Sequence, residues 1–403
     1  MRVCFVHPAY PGQFELPARW LAAERGWDVC FLTTTRRGRD GAFRVYAYQP
    51  DLVPSDATGA TAAFAEDDAH GLAAARTLRG MLEAGERFDL VVCHSGFGVG
   101  RYLREVFDGP VVGLFEWYFD PETTRVPVRP ATAWTARRRI ASYGKNAGVL
   151  LDLVGVDAAW TSTPNQRASL PAGLRDRVQV IPDAYDPTLW CPGPADDRRV
   201  GSLELPTEVP IVSFCSRGLE ATRGYDVFLE VAAKVQQARP DVLFVTVGDD
   251  VHLYGPQTHR ASGHATFREE QLARFPGDAS RIWHTPSVPA PELVRLLRAT
   301  TVHTYLSDPF VLSWSPRDAM ACGALLVAAD HAATRDLVTL GVTGRTAPLT
   351  DIDALAAQVL EGLEPTAEND GIRRRAAAEV RERYAVDVVG PALEAFLSTC
   401  RGS

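Results

Sequence analysis

The segment that decides the fold occupies residues 302–328 and reads VHTYLSDPFVLSWSPRDAMACGALLVA. It opens with an apolar run at 302–305 and closes with another at 325–328, and a helix-forming stretch at 316–321 lies between them. Gly323 follows that stretch, at a position where helices commonly end. Short, nearly continuous apolar runs are typical of strands buried on both faces of a parallel sheet. The segment therefore predicts a strand–helix–strand unit.

The same alternation continues in both directions along the chain. Further predicted strands lie at 3–6, 29–32, 45–48, 90–93, 111–115, 159–160, 178–181, 211–214 and 243–247. Predicted helices lie around 16–23, 70–86, 101–106, 225–239, 291–299, 352–363 and 367–384, and a last helix ends near Ser398. Strands that alternate with helices in this way indicate an α/β protein with parallel sheets.

The stretch 191–210 interrupts this pattern because it is rich in proline, glycine and charge, and we interpret it as a linker. We therefore predict two Rossmann-like domains whose parallel sheets face a cleft. The first covers residues 1–195 and the second covers 196–384, and a C-terminal helix within 385–403 is expected to pack back on the first. Ligands of such sheets bind beyond the carboxyl ends of the strands.

Composition restricts the partners. The chain has 403 residues, of which 42 are Lys or Arg and 50 are Asp or Glu, and the net charge of −8 argues against nucleic acid as a partner. Only Lys145 and Lys234 are lysines, so a phosphate site would be built from arginine. Seven scattered cysteines without a C-x-x-C pair indicate neither a disulfide framework nor a zinc site. The short N-terminal apolar run and the lack of 18 consecutive apolar residues predict a cytoplasmic protein without a transmembrane segment.

Two strand-end loops of the first domain are candidate binding loops. Residues 7–14 follow the first strand, and Gly12 there would let the backbone approach a ligand closely; an ordinary turn is the alternative. His94 follows the strand at 90–93 and has either a functional or a structural role. The glycines at 96–100 do not complete a dinucleotide fingerprint, because its sixth position is Arg101, so a nicotinamide site is disfavoured.

Two loops of the second domain carry groups that suit a nucleotide. Arg217 and Arg223 lie in the loop after the strand at 211–214, where guanidinium groups and a helix N-terminus would bind phosphate; a solvated turn is the alternative. Asp318 lies on the helix after the loop at 307–315, and its carboxylate would accept hydrogen bonds from the two hydroxyls of a ribose.

These loops resemble those of the retaining GT-B glycosyltransferases of family GT4. The resemblance rests on residues 7–14, 217–224, 308–323 and 341–345, and the segment Asp318–Gly323, DAMACG, is its most specific part. It implies transfer of a sugar from a UDP- or GDP-sugar to an acceptor, with retention of the anomeric configuration and with neither a metal nor another cofactor. It also implies that the second domain binds the donor and the first binds the acceptor.

The resemblance implies a role for each matching residue. Arg217 and Arg223 would neutralise the departing diphosphate, and His94 would lie over the sugar ring near its C6 hydroxyl. The remaining donor-binding positions are Gly12 at the diphosphate, the backbone of Val311, Leu312 and Ser313 at the sugar and phosphates, and Asp318 at the ribose, where it matches the second Glu of the family's E-x7-E pattern.

Two departures from that pattern concern the sugar. Phe310 stands where the first Glu would bind sugar hydroxyls, so either the sugar is unusual or Asp308 takes over that contact. Asp318 is one methylene shorter than the Glu it replaces.

Acceptor specificity is expected after the fifth strand, at Glu116, Trp117, Tyr118 and Phe119 and in the loop that continues to Ser142. The aromatic rings there would stack on a ring of the acceptor or else pack in the core. A small molecule, a glycan, a lipid-linked sugar and a low-molecular-weight thiol all remain candidate acceptors. The alternatives for the whole chain are an inactive nucleotide-sugar sensor or scaffold, and another GT-B enzyme such as a nucleotide-sugar epimerase or a phosphorylase. The oligomeric state is left open.

Overall fold

The computed structural model describes residues 1–35, 37–41, 43–52, 59–119, 129–133, 135–254 and 258–400. Contacts between residues divide them into two compact units. Unit 1 consists of the described residues within 1–119, 135–185 and 384–400, and unit 2 consists of those within 129–133 and 186–383. The chain enters unit 2 ahead of the predicted boundary at residue 195, because Leu189 and Trp190 already pack on the apolar core of unit 2.

Unit 1 is built on a mostly parallel sheet. Its strands are β1 (Arg2–Val6), β2 (Asp28–Thr33), β3 (Gly38–Asp40), β4 (Phe43–Ala47), β5 (Leu90–His94), β6 (Val111–Leu114), β7 (Ala158–Thr161) and β8 (Val178–Val180). Their order is β3-β4-β2-β1-β5-β6-β7-β8, and only the β3–β4 pair is antiparallel. Its helices are α1 (Glu15–Arg25), α2 (Gly59–Glu83), α3 (Ala136–Val154), α4 (Pro164–Ser169) and, near the C-terminus, α12 (Val386–Thr399). Helix α12 packs on α1, and its Phe396 ring lies 5.9 Å from that of Trp160.

Unit 2 contains a second, entirely parallel sheet. Its strands are β11 (Ile211–Gly218), β12 (Leu243–Asp249), β13 (Ile282–Thr285), β14 (Val302–Tyr305), β15 (Leu325–Ala329) and β16 (Arg345–Ala347), and they run in the order β13-β12-β11-β14-β15-β16. Its helices are α5 (Tyr225–Ala238), α6 (Phe267–Ala273), α7 (Ala290–Ala299), α8 (Trp314–Ala321), α9 (Ala332–Arg335), α10 (Ile352–Leu363) and α11 (Ala367–Tyr384). The predicted α/β class with two parallel-sheet domains is therefore confirmed.

The apolar runs form strands because both faces of each sheet are covered. In unit 1, every residue of β5 is buried. In unit 2, α5 places Tyr225 and Phe228 against Phe214 of β11 and Phe244 of β12, and their rings lie 5–6 Å apart. Burying rings of this size supplies a large share of the hydrophobic free energy of the domain.

Three local predictions differ from the structure. The stretch 191–210 is not a plain linker, because it contains the antiparallel hairpin of β9 (Arg199–Val200) and β10 (Leu203–Glu204), with Val200 fully buried. The helix predicted at 101–106 is only a short 3₁₀ turn at Leu103–Glu105, since Gly98 before it adopts a positive φ of 73°. The helix predicted at 70–86 begins earlier, at Gly59. None of the helices in the described ranges is long and apolar enough to cross a bilayer.

The packing of α3 against α2 can be tested at two glycines. Gly144 of α3 lies in a crowded position, whereas Gly80 of α2 lies in an open one. A Cβ atom added at Gly144 of α3 would lie 2.0 Å from the carbonyl oxygen of Ala60 on α2, whereas a Cβ at Gly80 of α2 would meet nothing within 4 Å. We expect Gly144→Ala to lower the free energy of unfolding by about 1–3 kcal/mol through overpacking. We expect Gly80→Ala to raise it by roughly 0.5–1 kcal/mol, because alanine is the better helix former. Urea unfolding followed by circular dichroism measures both changes, and equal effects of the two substitutions would contradict the α2–α3 contact.

Candidate functional site

Two loops at the carboxyl end of the unit 2 sheet contact each other through their backbones. Gly224 ends the loop after β11 with a φ of +77°, and a Cβ there would lie 2.0 Å from the carbonyl oxygen of Leu306, after β14. The amide of Asp308 donates a hydrogen bond of 2.9 Å to the carbonyl oxygen of Thr222. Glycine is required at position 224, because an L side chain would meet both an unfavourable φ and a backbone oxygen.

Arg223 is the cation that these contacts position. Its Nη1 donates a hydrogen bond of 3.0 Å to Oγ of Ser313. Its guanidinium carbon lies 5.2 Å from the ring centre of Tyr254 and 5.9 Å from that of Phe310. Within the described ranges, no carboxylate pairs with Arg223. Its charge is therefore held in place without being neutralised.

The beginning of α8 lies directly beside Arg223. Ser313 is the N-cap residue of this helix, but its hydroxyl accepts from Arg223 and does not cap the helix. The amide of Ser313 donates to the hydroxyl of Tyr305 at 3.2 Å. Val311 and Leu312, half-buried, immediately precede it. Amides at a helix N-terminus and the positive end of its dipole favour an anion.

Arg217 is the penultimate residue of β11 and is exposed. The sequence analysis placed it in the loop after this strand, but β11 continues to Gly218, beyond the apolar run at 211–214. The structure therefore presents one exposed arginine at the end of β11 and a second, Arg223, in the loop that follows. This arrangement is compatible with the predicted pair of phosphate-binding cations, with Arg223 the better oriented of the two.

The carboxylate of Asp308 is engaged by an arginine that the sequence analysis missed. Nε of Arg129 lies 3.2 Å from Oδ1 of Asp308, and its Nη1 lies 2.6 Å from Oδ2 of Asp226, while its Nη2 donates to the carbonyl oxygen of Ala221. Arg129 is buried. Asp308 was expected to bind the sugar in place of the missing Glu. In the structure its Oδ1 already forms an ion pair with Arg129. No local signal pointed to Arg129, because its partners are remote in sequence.

Asp318 is also paired. Nη2 and Nε of Arg317 donate to its Oδ1 at 2.8 and 3.0 Å, and both side chains are buried. Burial raises the pKa of the Asp318 carboxyl, and the Arg317 charge lowers it in part. The carboxylate predicted to bind a ribose is therefore buried in an ion pair with Arg317.

In unit 1, His94 lies at the end of β5 with 1% of its surface exposed. Its Nδ1 lies 2.7 Å from the carbonyl oxygen of Ser95 and must donate there, so Nε2 carries the lone pair. That Nε2 has no hydrogen-bond partner among the described residues, and Oε2 of Glu116 lies 4.0 Å away. Burial lowers the pKa of His94 to about 4, so the ring is neutral near pH 7.

His7, which the sequence analysis did not single out, joins this group. Its ring lies 5.0 Å from that of His94, and its Nδ1 accepts a hydrogen bond of 3.0 Å from the amide of Ala9. Burial, followed by the proximity of His94, lowers the pKa of His7 to about 3. A Cβ at Gly12 would lie 2.9 Å from the His7 ring, and Gly12 has a φ of +59°. Glycine at position 12 is therefore required by the packing of His7.

The predicted acceptor residues have different surroundings. Glu116 is partly exposed, and its Oε1 accepts from Nε2 of Gln13 at 3.2 Å. Trp117 is buried, whereas Tyr118 is half-buried and its amide donates to Oγ of Ser169. Glu116 lies beside His94. Residues 120–128 and 134 of the predicted acceptor loop lie outside the described residues.

The predicted site residues thus form two groups, one in each unit. His94, Gly12 and Glu116 lie together in unit 1, with His7 and Gln13. In unit 2, Arg223, Phe310 and Ser313 lie together and Asp308 is tied to the same loop, whereas Asp318 is buried with Arg317. Among the described residues, no three His, Cys, Asp or Glu side chains are grouped to hold a metal ion.

Comparison with known families identifies both units. A model described as glycosyl transferase family 4 group matches residues 25–189, and a model described as glycosyl transferases group 1 matches residues 209–364. Together these segments span most of the chain. The chain belongs to the group 1 glycosyltransferases. This is a family of sugar-transferring enzymes, and the resemblance to the GT-B glycosyltransferases of family GT4 is confirmed.

Individual relatives of this glycosyltransferase are distant. It is 27% identical over 267 residues to α-maltose-1-phosphate synthase of Mycolicibacterium smegmatis, a match covering 64% of this chain and 65% of the relative. It is 29% identical over 202 residues to D-inositol 3-phosphate glycosyltransferase of the same organism, covering 49% and 43%. The matches therefore span less than two thirds of these relatives.

Solved structures show the GT-B fold. Sucrose-phosphate synthase from Thermosynechococcus elongatus has a TM-score of 0.75 at 17% identity, covering 99% of this chain and 98% of that one. Anabaena HepE, solved in complex with UDP and glucose, has a TM-score of 0.72 at 18% identity, covering 99% and 100%. The predicted fold class is confirmed for this glycosyltransferase.

The low pKa of His94 predicts how stability depends on pH. The unfolded chain protonates this histidine near its ordinary pKa of about 6.5, whereas the folded chain does so only near 4. The unfolded state therefore binds more protons between these values, and stability falls as the pH falls from about 6.5 to 4. His94→Asn removes this contribution, so the stability advantage of wild type over the variant should shrink by up to roughly 3 kcal/mol across that window.

Urea unfolding of both proteins at pH steps between 4 and 7 measures this difference. The same substitution at the half-buried His264 of unit 2 serves as the control. A difference between wild type and His94→Asn that stays constant across the window would contradict a buried, neutral His94.

Proposed function

We propose that the protein transfers a sugar from a UDP- or GDP-sugar to an acceptor with retention of the anomeric configuration and without a metal ion. The observation that carries the proposal is Arg223, a half-buried cation that is oriented by Ser313 and two rings but has no carboxylate partner in the described ranges. Such a cation beside a helix N-terminus suits a diphosphate. The HepE relative, whose structure includes a complex with UDP-glucose, supports a nucleotide-sugar donor.

In this proposal unit 2 stabilises the leaving group. The bond between C1 of the sugar and the β-phosphate oxygen breaks, and its electron pair leaves with the diphosphate. Arg223, Arg217 and the amides at the start of α8 stabilise the added negative charge, which is the usual role of preorganised donors in such a reaction. The acceptor group attacks C1 on the face that the diphosphate leaves, and the departing phosphate oxygen takes the acceptor's proton. Retention then requires no covalent intermediate with the protein.

Unit 1 would supply the polar contacts to the reacting sugar or the acceptor. With its Nδ1 hydrogen committed to Ser95, His94 offers the lone pair of Nε2, so it accepts a hydrogen bond from a hydroxyl and does not donate one. This fits the C6 hydroxyl that the family resemblance assigns to it. Glu116, whose Oε2 is 4.0 Å from that nitrogen, would orient the acceptor. For the acceptor we propose a small molecule or a low-molecular-weight thiol, and for the location the cytoplasm.

A thermal-shift screen with UDP, GDP, ADP and dTDP tests donor binding. One nucleoside diphosphate, at a hundredfold excess over its Kd, should raise the melting temperature by roughly 5 °C. Arg223→Ala should abolish the rise. Arg239→Ala should keep it, because Arg239 follows the opposite end of α5 and pairs with Asp241. No rise with any of the four would contradict the proposal.

Turnover then separates the enzyme from an inactive sensor or scaffold. The protein is incubated with sugars of the nucleotide identified above and a panel of alcohols and thiols, and the anomeric configuration of any product is read by NMR. A retained anomer is expected. Binding without any product would favour the sensor, and isolation of a covalent glycosyl-enzyme would contradict front-face transfer.

A further inference from the structure

Position 310 carries a phenylalanine where the family resemblance leads one to expect a sugar-binding glutamate, and the structure shows what this ring contacts. The centre of the Phe310 ring lies 5.0 Å from that of Tyr254, at an interplanar angle of 54°. The guanidinium of Arg223 lies within 6 Å of both ring centres. The two rings and the cation therefore form one cluster, which we call the aromatic shelf: Phe310 and Tyr254 beneath Arg223.

The chemistry of the shelf differs from that of a carboxylate at the same place. A glutamate within reach of Arg223 would pair with it and compete with any phosphate for its charge. An aromatic ring attracts a guanidinium through its quadrupole, yet it leaves the full positive charge available to an anion. The shelf therefore restricts the motion of Arg223 at little cost to its capacity to bind phosphate.

A buried carboxylate fixes the shelf to the loop that carries Arg223. Oε2 of Glu220 accepts hydrogen bonds from the amides of Leu253 and Tyr254, both at 3.1 Å. Glu220 is fully buried and lies three residues before Arg223. The backbone that carries the Tyr254 ring is thus hydrogen-bonded to the loop that carries Arg223, the cation that this ring contacts.

We propose that Phe310 and Tyr254 are positioning residues that aim Arg223 at the β-phosphate of the donor, and that Glu220 positions Tyr254. This inference rests on the proposed function and adds to it a role for position 310. In this protein, that position acts on the diphosphate through Arg223 and makes no contact with the hydroxyls of the sugar. Selectivity among donor sugars should therefore not depend on Phe310, whereas affinity for the diphosphate should.

The test compares a nucleoside diphosphate with its monophosphate, because only the former carries a β-phosphate. Calorimetry gives the ratio of the two affinities in wild type, in Phe310→Leu and in Tyr254→Leu. Loss of one cation–π contact should lower the affinity for the diphosphate about three- to thirtyfold and leave the affinity for the monophosphate unchanged. Phe310→Tyr should retain the wild-type ratio, and Phe310→Glu should lower it further, because the carboxylate would pair with Arg223.

Controls separate positioning from general damage. Tyr143→Leu alters an exposed ring on α3 of unit 1 and should leave the ratio unchanged. A variant that fails to fold is recognised by circular dichroism, and the other shelf position then provides the measurement. Equal losses for diphosphate and monophosphate would overturn the inference, because they would place the rings at the base or the ribose.

The inference and the proposed function fail in different ways. If wild type prefers the diphosphate and Arg223→Ala removes that preference while both leucine variants keep it, the shelf is refuted and the donor site stands. If wild type shows no preference for the diphosphate, the donor site itself is refuted, and the shelf with it. A change in the preferred donor sugar in Phe310→Leu would also overturn the inference, because it would indicate that residue 310 contacts the sugar.

Discussion

The close approach of Gly224 to the carbonyl oxygen of Leu306 is the constraint on which the site in unit 2 depends. Strands β11 and β14 are neighbours in the sheet, so the loops that follow them emerge side by side. The contact at Gly224, together with the hydrogen bond from Asp308 to Thr222, brings the two loops into register. Arg223 can then reach Ser313 and Phe310 across the junction. Any side chain at position 224 would separate the loops that orient the cation.

Charge is distributed around this junction in a consistent way. Arg129 is paired with Asp226 and Asp308. Arg317 is paired with Asp318. Arg223 instead contacts a hydroxyl and two rings. The buried Arg129 and Arg317 are thus paired with carboxylates. Arg223, which we propose as the ligand of the diphosphate, has no carboxylate partner in the described ranges, and this leaves its charge available to an anion.

The candidate site in unit 1 is built around two buried histidines that carry no charge. Burial holds His7 and His94 in the uncharged form, and the bond from His94 to Ser95 determines which ring nitrogen carries the lone pair. The result is a hydrogen-bond acceptor of low basicity beside Glu116. It suits a hydroxyl that donates a hydrogen bond to Nε2 of His94.

The sequence was sufficient to predict the fold class and the location of the candidate loops. Apolar runs such as 302–305 and 325–328 are unambiguous where both faces of a strand are covered, and loops after such strands point to one edge of the sheet. Helix α3 was missed because Gly144, Asn146 and Gly148 interrupt its apolar pattern, although the glycines are what allow α2 to approach. The predicted helix at 101–106 failed because the preceding glycines favour a turn.

The partners of the site residues were beyond sequence reasoning for a different reason. The contacts of three residues are formed with residues that are distant in the chain or with backbone amides: Arg129, Tyr254 and Glu220. Contacts of these two kinds leave no periodic pattern in the sequence. Phe310 was recognised as a departure from the family pattern, but its neighbours Tyr254 and Arg223 are more than 50 residues away in the chain and could not be inferred from the sequence.

The most direct test of the central claim is a crystal structure of the full chain grown with the nucleoside diphosphate that stabilises it most. We expect β-phosphate oxygens within hydrogen-bond distance, about 3 Å, of the Arg223 guanidinium and the amides that precede α8. We also expect Arg223 to remain over Tyr254 and Phe310. A diphosphate bound elsewhere, with Arg223 contacting only Ser313 and the two rings, would contradict the role proposed for Arg223.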